Sequence, residues 1–182
     1  MFLFTNCFGK EKISNTKEKV AKLHFYVQDL RIGHVNATVS EVATASVTKD
    51  SPYDFGSVHV LDDLVTAGPE MDSRPVGRVQ GLTTNADLST YGIAMNLNFY
   101  FTAGKFAGSQ LSLLGRNQVM DDRRELPVVG GTGAFRFTRG YAIQTTHSID
   151  FPAHYAVLEY TVYATYDSEI GRSDEDVEVF EF

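Results

Sequence analysis

The sequence holds a single cysteine, Cys7, so no disulfide can form within the chain and no cysteine-based zinc site can be assembled. That fits a reducing compartment. Basic residues are few, 16 Lys and Arg against 23 Asp and Glu for a net charge of -7. The shortfall argues against a phosphate-binding surface, because nucleic acid selects clustered Lys and Arg. No apolar run approaches the roughly 20 residues of a membrane-spanning helix. The opening MFLFTNCFGKEK also stops short of the apolar core of about 7–15 residues that a secretory signal needs. The five histidines (His24, His34, His59, His147 and His154) show no HxH or HExxH spacing, and no Rossmann-type glycine fingerprint occurs. These absences predict neither a metal nor a cofactor, and with them no one-electron oxidation by the chain itself.

Period-two alternation dominates what is present. In GIAMNLNFYFTA, Ile93, Met95, Leu97, Phe99 and Phe101 alternate with Ala94, Asn96, Asn98 and Tyr100. KLHFYVQD and HYAVLEYTVYATY repeat the pattern, which is that of strands and not of helices. Similar runs near 38–47, 56–62, 76–82, 109–115 and 134–146 are separated by SPYDFG, AGPEMDSRPVG, TAGKFAGS and VVGGTG, all rich in turn residues. The expectation is an all-β single domain of about eight antiparallel strands, as a sandwich or a closed barrel. Apolar residues on both faces of several strands suggest that the outer face is covered as well, as by another subunit; ordinary scattered apolar exposure is the alternative. Residues 1–21 read as a lysine-rich arm, 22–166 as the domain, and 167–182 as a solvated acidic extension.

One stretch, DDRRELPVVGGTGAFRFTRGYA, joins a charge cluster to a glycine cluster. Gly130, Gly131, Thr132 and Gly133 read as a hairpin turn between LPVV and a strand running through Phe135–Arg139. A phosphate cradle is disfavoured, since no Lys-Ser/Thr pair follows and no helix begins there. In a strand, Arg123 and Arg124 point to opposite faces, as do Asp62 and Asp63, so at most one of each pair looks inward.

Four segments in order, NATVSEV, FGSVHVLDDLVTAGP, PVGRVQG and RELPVVGGTGAFRFTRGYA, resemble the plant dirigent proteins. The resemblance covers roughly residues 22–166. It implies an eight-stranded antiparallel β-barrel with an internal pocket, assembled as a homotrimer and needing no cofactor. The implied work is stereoselective coupling of phenoxy radicals toward lignan-type phenylpropanoid products, the radicals coming from a separate oxidase of laccase or peroxidase type. Related members instead act as cyclases or dehydratases that close a ring through a quinone methide. The implied location is the apoplast, whereas the lack of a signal in this chain points equally to the cytoplasm. The sequon Asn36-Ala37-Thr38 matters only on the secreted route.

The resemblance also marks residues. Asp29 matches the acid of a His-Asp pair facing the pocket, with Gln28 in place of the His; a carboxyl in an apolar barrel has a raised pKa and can donate a proton near neutrality. The plain alternative is a strand-end Asp serving the turn before Gly33. Arg124 matches the arginine at the pocket mouth, with a fork of donors suited to a phenolate or carbonyl oxygen; the alternative is a surface ion pair with Glu125 or Asp122. Asn117 stands where lignan-forming relatives carry a second aspartate, and an amide can bind a substrate oxygen but cannot donate a catalytic proton. Thr83 and Thr84 replace residues that are often aromatic in relatives, which suggests a differently shaped pocket. Asp62 is the candidate taken from the Asp62-Asp63 pair. Asp29 and Arg124 are thus the expected catalytic residues, and Asn117, Thr83 and Asp62 the expected substrate contacts.

Overall fold

The computed structural model describes residues 18–167 and 177–181. Ten strands run through them: β1 (Glu18–Leu30), β2 (Val39–Thr44), β3 (Ser57–Thr66), β4 (Pro75–Asn85), β5 (Gly92–Phe101), β6 (Gln110–Gln118), β7 (Arg124–Thr132), β8 (Gly140–Asp150), β9 (Tyr155–Asp167) and β10 (Val177–Glu181). Antiparallel pairing proceeds from β1 through β9, β8, β7, β6, β5, β4 and β3. The ring then closes where Tyr26, Val27 and Gln28 of β1 pair with Thr66, Val65 and Leu64 of β3. The result is a closed eight-stranded antiparallel barrel, as the resemblance implied, with β2 added to the outer edge of β3.

Closure leaves one seam incomplete. β3 ends level with Tyr26, so the first half of β1 has no barrel partner on that side, and an unpaired strand edge is exposed there. β10 fills it, running parallel to β1 with Val20 opposite Val177 and His24 opposite Glu181. The expected boundaries shift accordingly. β1 begins at Glu18 and Ala21 is fully buried, so the end of the expected arm belongs to the barrel. Val177–Glu181 of the acidic extension likewise form a strand. Residues 1–17, 168–176 and 182 lie outside the described residues.

Alternation sends one parity of each strand inward. Leu23, Phe25, Leu97, Phe99, Leu111, Leu113, Leu126 and Val162 are all at most 2% exposed. One end of the barrel is plugged by rings: Phe106 lies 4.7 Å from Phe135 and 5.3 Å from Tyr166, centroid to centroid. Such aromatic pairs contribute about 0.5–1.5 kcal/mol each beyond the area they bury.

Phe135 reaches the plug because the expected strand through Phe135–Arg139 does not form. A 3-10 turn covers Gly133–Phe135 instead. Phe135 is fully buried while Phe137, of the same parity, is 91% exposed with φ of 62°. Local alternation there is overridden by the demand for a ring at the barrel floor. The glycine cluster is also placed differently. Gly130 and Gly131 lie within β7, paired with Ser112 and Leu111, and the turn itself begins at Gly133, with φ of 63°.

Close strand approach is decisive at Gly81 of β4. A Cβ there would lie 1.9 Å from the Asn96 carbonyl oxygen, whereas one at Gly130 meets nothing within 4 Å. Gly81→Ala is therefore expected to cost about 3 kcal/mol and lower Tm by about 10 °C, with Gly130→Ala close to wild type. Equal melting curves for the two variants would contradict this packing.

Candidate functional site

The end opposite the aromatic plug is a polar mouth. Asp29 follows Phe25 and Val27 in inward parity on β1, and its side chain is 13% exposed. Because Gln28 pairs with Leu64, the next positions, Asp29 and Asp63, stand side by side on β1 and β3. Asp63 is 3% exposed and accepts a hydrogen bond from Thr38 Oγ1. Burial pushes the Asp63 carboxyl up to about 7, the neighbouring charge of Asp29 adds to the rise, and the Thr38 bond opposes it. Burial raises Asp29 as well, against the pull of Arg31, whose Nε lies 3.3 Å from Asp29 Oδ2.

Asp62 does not join this site, which corrects the sequence expectation. Its side chain is 51% exposed on the outer face and pairs with Arg78 Nε at 2.5 Å. Parity separates the two acids, and the pairing of β3 with β1 turns Asp63 inward. The alternation HVLDDLV contained the signal, since Asp63 is in phase with Val65, but Val58, Val60 and Leu64 made the opposite face equally apolar.

Arg124 opens β7 and is 5% exposed, whereas Arg123 beside it is exposed. Its guanidinium donates from Nη2 to Thr146 Oγ1 at 2.8 Å and from Nη1 to the Val119 carbonyl at 3.1 Å. A longer bond of 3.5 Å runs from Nε to the Gln144 carbonyl. All three acceptors are neutral, so the charge is positioned without being neutralised by a carboxylate. Burial pushes its pKa down, and the nearby Tyr160 and Asp121 oppose that shift. Tyr160 of β9 is fully buried and its phenol is pushed up by burial; Arg124 pulls the other way while Asp29 and Asp63 add to the rise. The phenol thus lies in the field of both carboxyls and the guanidinium, as a neutral group.

Asn117 of β6 is 3% exposed and donates from Nδ2 to Gln144 Oε1 at 2.7 Å and to Met95 Sδ at 3.1 Å. These contacts leave Asn117 Oδ1 buried without a hydrogen-bond partner. An unsatisfied buried acceptor costs about 1–3 kcal/mol, and a substrate hydroxyl can satisfy it. Thr83 of β4 is half-buried, paired with His59 and Met95 at the rim, and Thr84 lies in the opposite parity. Gln28 is fully buried but points away from the mouth. It donates to Thr66 Oγ1 at 2.7 Å and to the Pro69 carbonyl at 3.3 Å, and accepts from the Tyr155 hydroxyl. It fastens the β3–β4 connection and β9 to β1.

The structure therefore gathers Asp29, Arg124, Asn117 and Thr83 at one end of the barrel and leaves Asp62 outside. Asp63, Gln144, Tyr160 and Thr38 were not read as site residues from the sequence. Among the described residues no cluster of three or more His, Cys, Asp or Glu converges on a metal position.

A family model described as a dirigent-like protein matches residues 20–165. The chain belongs to the dirigent family. It is 45% identical over 152 residues to Dirigent protein 11 of Arabidopsis thaliana, covering 82% of this chain and 76% of that one. It is 40% identical to Pterocarpan synthase 1 of Glycine max, covering 82% and 81%. Among solved structures, that of a pterocarpan synthase dirigent protein superposes with a TM-score of 0.76 at 38% identity, covering 87% of this chain and 90% of the other. In this dirigent barrel Asp29 and Arg124 both reach the mouth. The second carboxyl there comes from Asp63 on β3, while the β6 position holds the Asn117 amide.

Proposed function

We propose that this dirigent protein is a cyclase or dehydratase that closes a ring on a phenolic benzylic alcohol through a quinone methide, by proton transfer alone. The observation that carries the reading is the pair of mouth carboxyls, Asp29 and Asp63, side by side on adjacent strands, with the Asp63 value pushed up to about 7. Two like charges in a desolvated site cannot both ionise cheaply, so one acid keeps its proton while the other is free to accept one.

The Asp63 carboxyl gives its proton to the benzylic hydroxyl, and the C–O bond breaks with its electron pair leaving on water. The phenolic proton passes to the Asp29 carboxylate, and the oxygen's electron pair completes the quinone methide. A second hydroxyl of the same substrate then attacks the methide carbon and gives its proton to Asp63, while Asp29 returns its proton to the ring oxygen. The sum is the loss of one water with no change in oxidation state. Arg124 stabilises the partial charge on the phenolic oxygen, and Asn117 Oδ1 accepts from the attacking hydroxyl until that proton leaves. The similarity to pterocarpan synthases supports the reading.

The second reading is guidance of phenoxyl radicals made by a separate oxidase, the work that the resemblance to dirigent proteins implies. The test runs both arms. The purified chain is mixed, without oxidant, with a panel of ortho- and para-hydroxybenzylic alcohols bearing a second phenol, and products are followed by mass for loss of water. In parallel, coniferyl alcohol is oxidised by a one-electron oxidant in its presence and the dimers are resolved on a chiral column. Cyclised product without oxidant, and racemic dimers, are expected. Enantiomeric excess among the dimers with no oxidant-free turnover would replace the first reading by the second.

A further inference from the structure

The connection between β1 and β2 touches both mouth carboxyls, one at each of its ends. At its start, the Arg31 guanidinium meets Asp29 Oδ2 at 3.3 Å. At its end, Thr38 Oγ1 donates to Asp63 Oδ1. Backbone bonds pin both ends of the segment: Arg31 N donates to the His154 carbonyl at 2.8 Å, Thr38 N to the Leu30 carbonyl at 2.9 Å, and Asp62 N to the Thr38 carbonyl at 3.0 Å. Internal turns from His34 N to the Arg31 carbonyl at 3.0 Å and from Ala37 N to the His34 carbonyl at 3.2 Å set the distance between them. The two partners differ in kind. Asp29 receives a cation, which favours the charged form, whereas Asp63 receives a neutral hydroxyl.

We propose that this loop is a positioning element that divides the roles of the two carboxyls, Arg31 holding Asp29 as the base and Thr38 orienting Asp63 as the acid. The assignment of roles rests on the proton-transfer reading above. The remaining charged or titratable groups around the pair do not distinguish its members in the same way. Arg78 and Asp62, an ion pair on the outer face, act on Asp63 with opposite signs, the cation lowering and the carboxylate raising it. Arg124 bonds neutral acceptors, and the Tyr160 phenol is raised by both acids alike. Arg31 and Thr38 are thus positioning residues: neither needs to touch the substrate.

The test needs no substrate. The full chain, labelled with carbon-13 at the aspartate carboxyls, is titrated by NMR from pH 3 to pH 9 as wild type, Arg31→Gln, Thr38→Val and Thr38→Ser. Asp29 is expected to lose its proton before Asp63. Arg31→Gln is expected to raise the Asp29 midpoint by about 0.5–1 pH unit, a discounted shift because Arg31 is partly solvated. Thr38→Val should raise the Asp63 midpoint, and Thr38→Ser, which keeps the hydroxyl, should restore it. Asp63 ionising first in wild type, or unmoved midpoints in Arg31→Gln and Thr38→Val, would overturn the proposal. Where turnover is found, Arg31→Gln moves the acid limb of kcat/KM upward and Thr38→Val the alkaline limb, shifts that a merely structural loop would not produce. Expected titrations with no turnover on the substrate panel would sink the proton-transfer reading while leaving the loop's effect on the two carboxyls standing.

Discussion

Asp63→Asn is expected to lower kcat for oxidant-free ring closure by about 10²–10⁴-fold, the range for loss of a general acid, while making the folded protein more stable at alkaline pH. The second effect follows from linkage. The Asp63 carboxyl lies at about 7 in the folded protein against an ordinary 3.8, so the folded state keeps a proton that the unfolded chain releases. Stability from this group is present below about pH 4 and is lost as the pH rises through 7. The loss over that window is about 4 kcal/mol. An amide carries no charge to bury, so the variant is free of this penalty. Melting wild type and Asp63→Asn at pH 4.5, 6 and 8 checks the point, because the difference should widen in favour of the variant as pH rises. Parallel melting temperatures at all three values would show that Asp63 does not carry this proton.

The second large effect is expected at Arg124. Replacement by Met removes the donors to Thr146 Oγ1 and to the Val119 and Gln144 carbonyls. Acceptors left unpaired in a buried site make a loss of about 3 kcal/mol the expected cost. Turnover should fall by about 10²–10³-fold, as for removal of a donor that stabilises developing oxyanion charge. Arg124→Lys keeps the charge but offers a point donor in place of a fork, so it should recover part of the stability and less of the activity. Arg123→Met is the control: it lies on the exposed parity of the same chain segment, and its stability should stay within about 0.5 kcal/mol of wild type. Comparable losses at 123 and 124 would mean that the inward placement of Arg124 has no bearing on function.

The sequence by itself determined most of the barrel strands, because period two is a local property and GIAMNLNFYFTA has no helical face to bury. It also determined that Arg123 and Arg124 must part company, as must Asp62 and Asp63, since adjacent residues of a strand cannot share a face. Which acid turns inward was settled only by the tertiary structure. Both faces of β3 carry apolar residues, and the pairing of Gln28 with Leu64 is what sets Asp63 beside Asp29. Closure into a barrel depends on that same pairing of β1 with β3, a contact between distant segments that alternation cannot reveal. Phe135 and Phe137 read alike in the sequence, yet one plugs the barrel floor and the other stands in solvent, because only one ring had a cavity to fill. The tail strand β10 pairs with β1 for a similar reason: β3 stops level with Tyr26, and an unpaired edge of backbone donors and acceptors remains to be satisfied there.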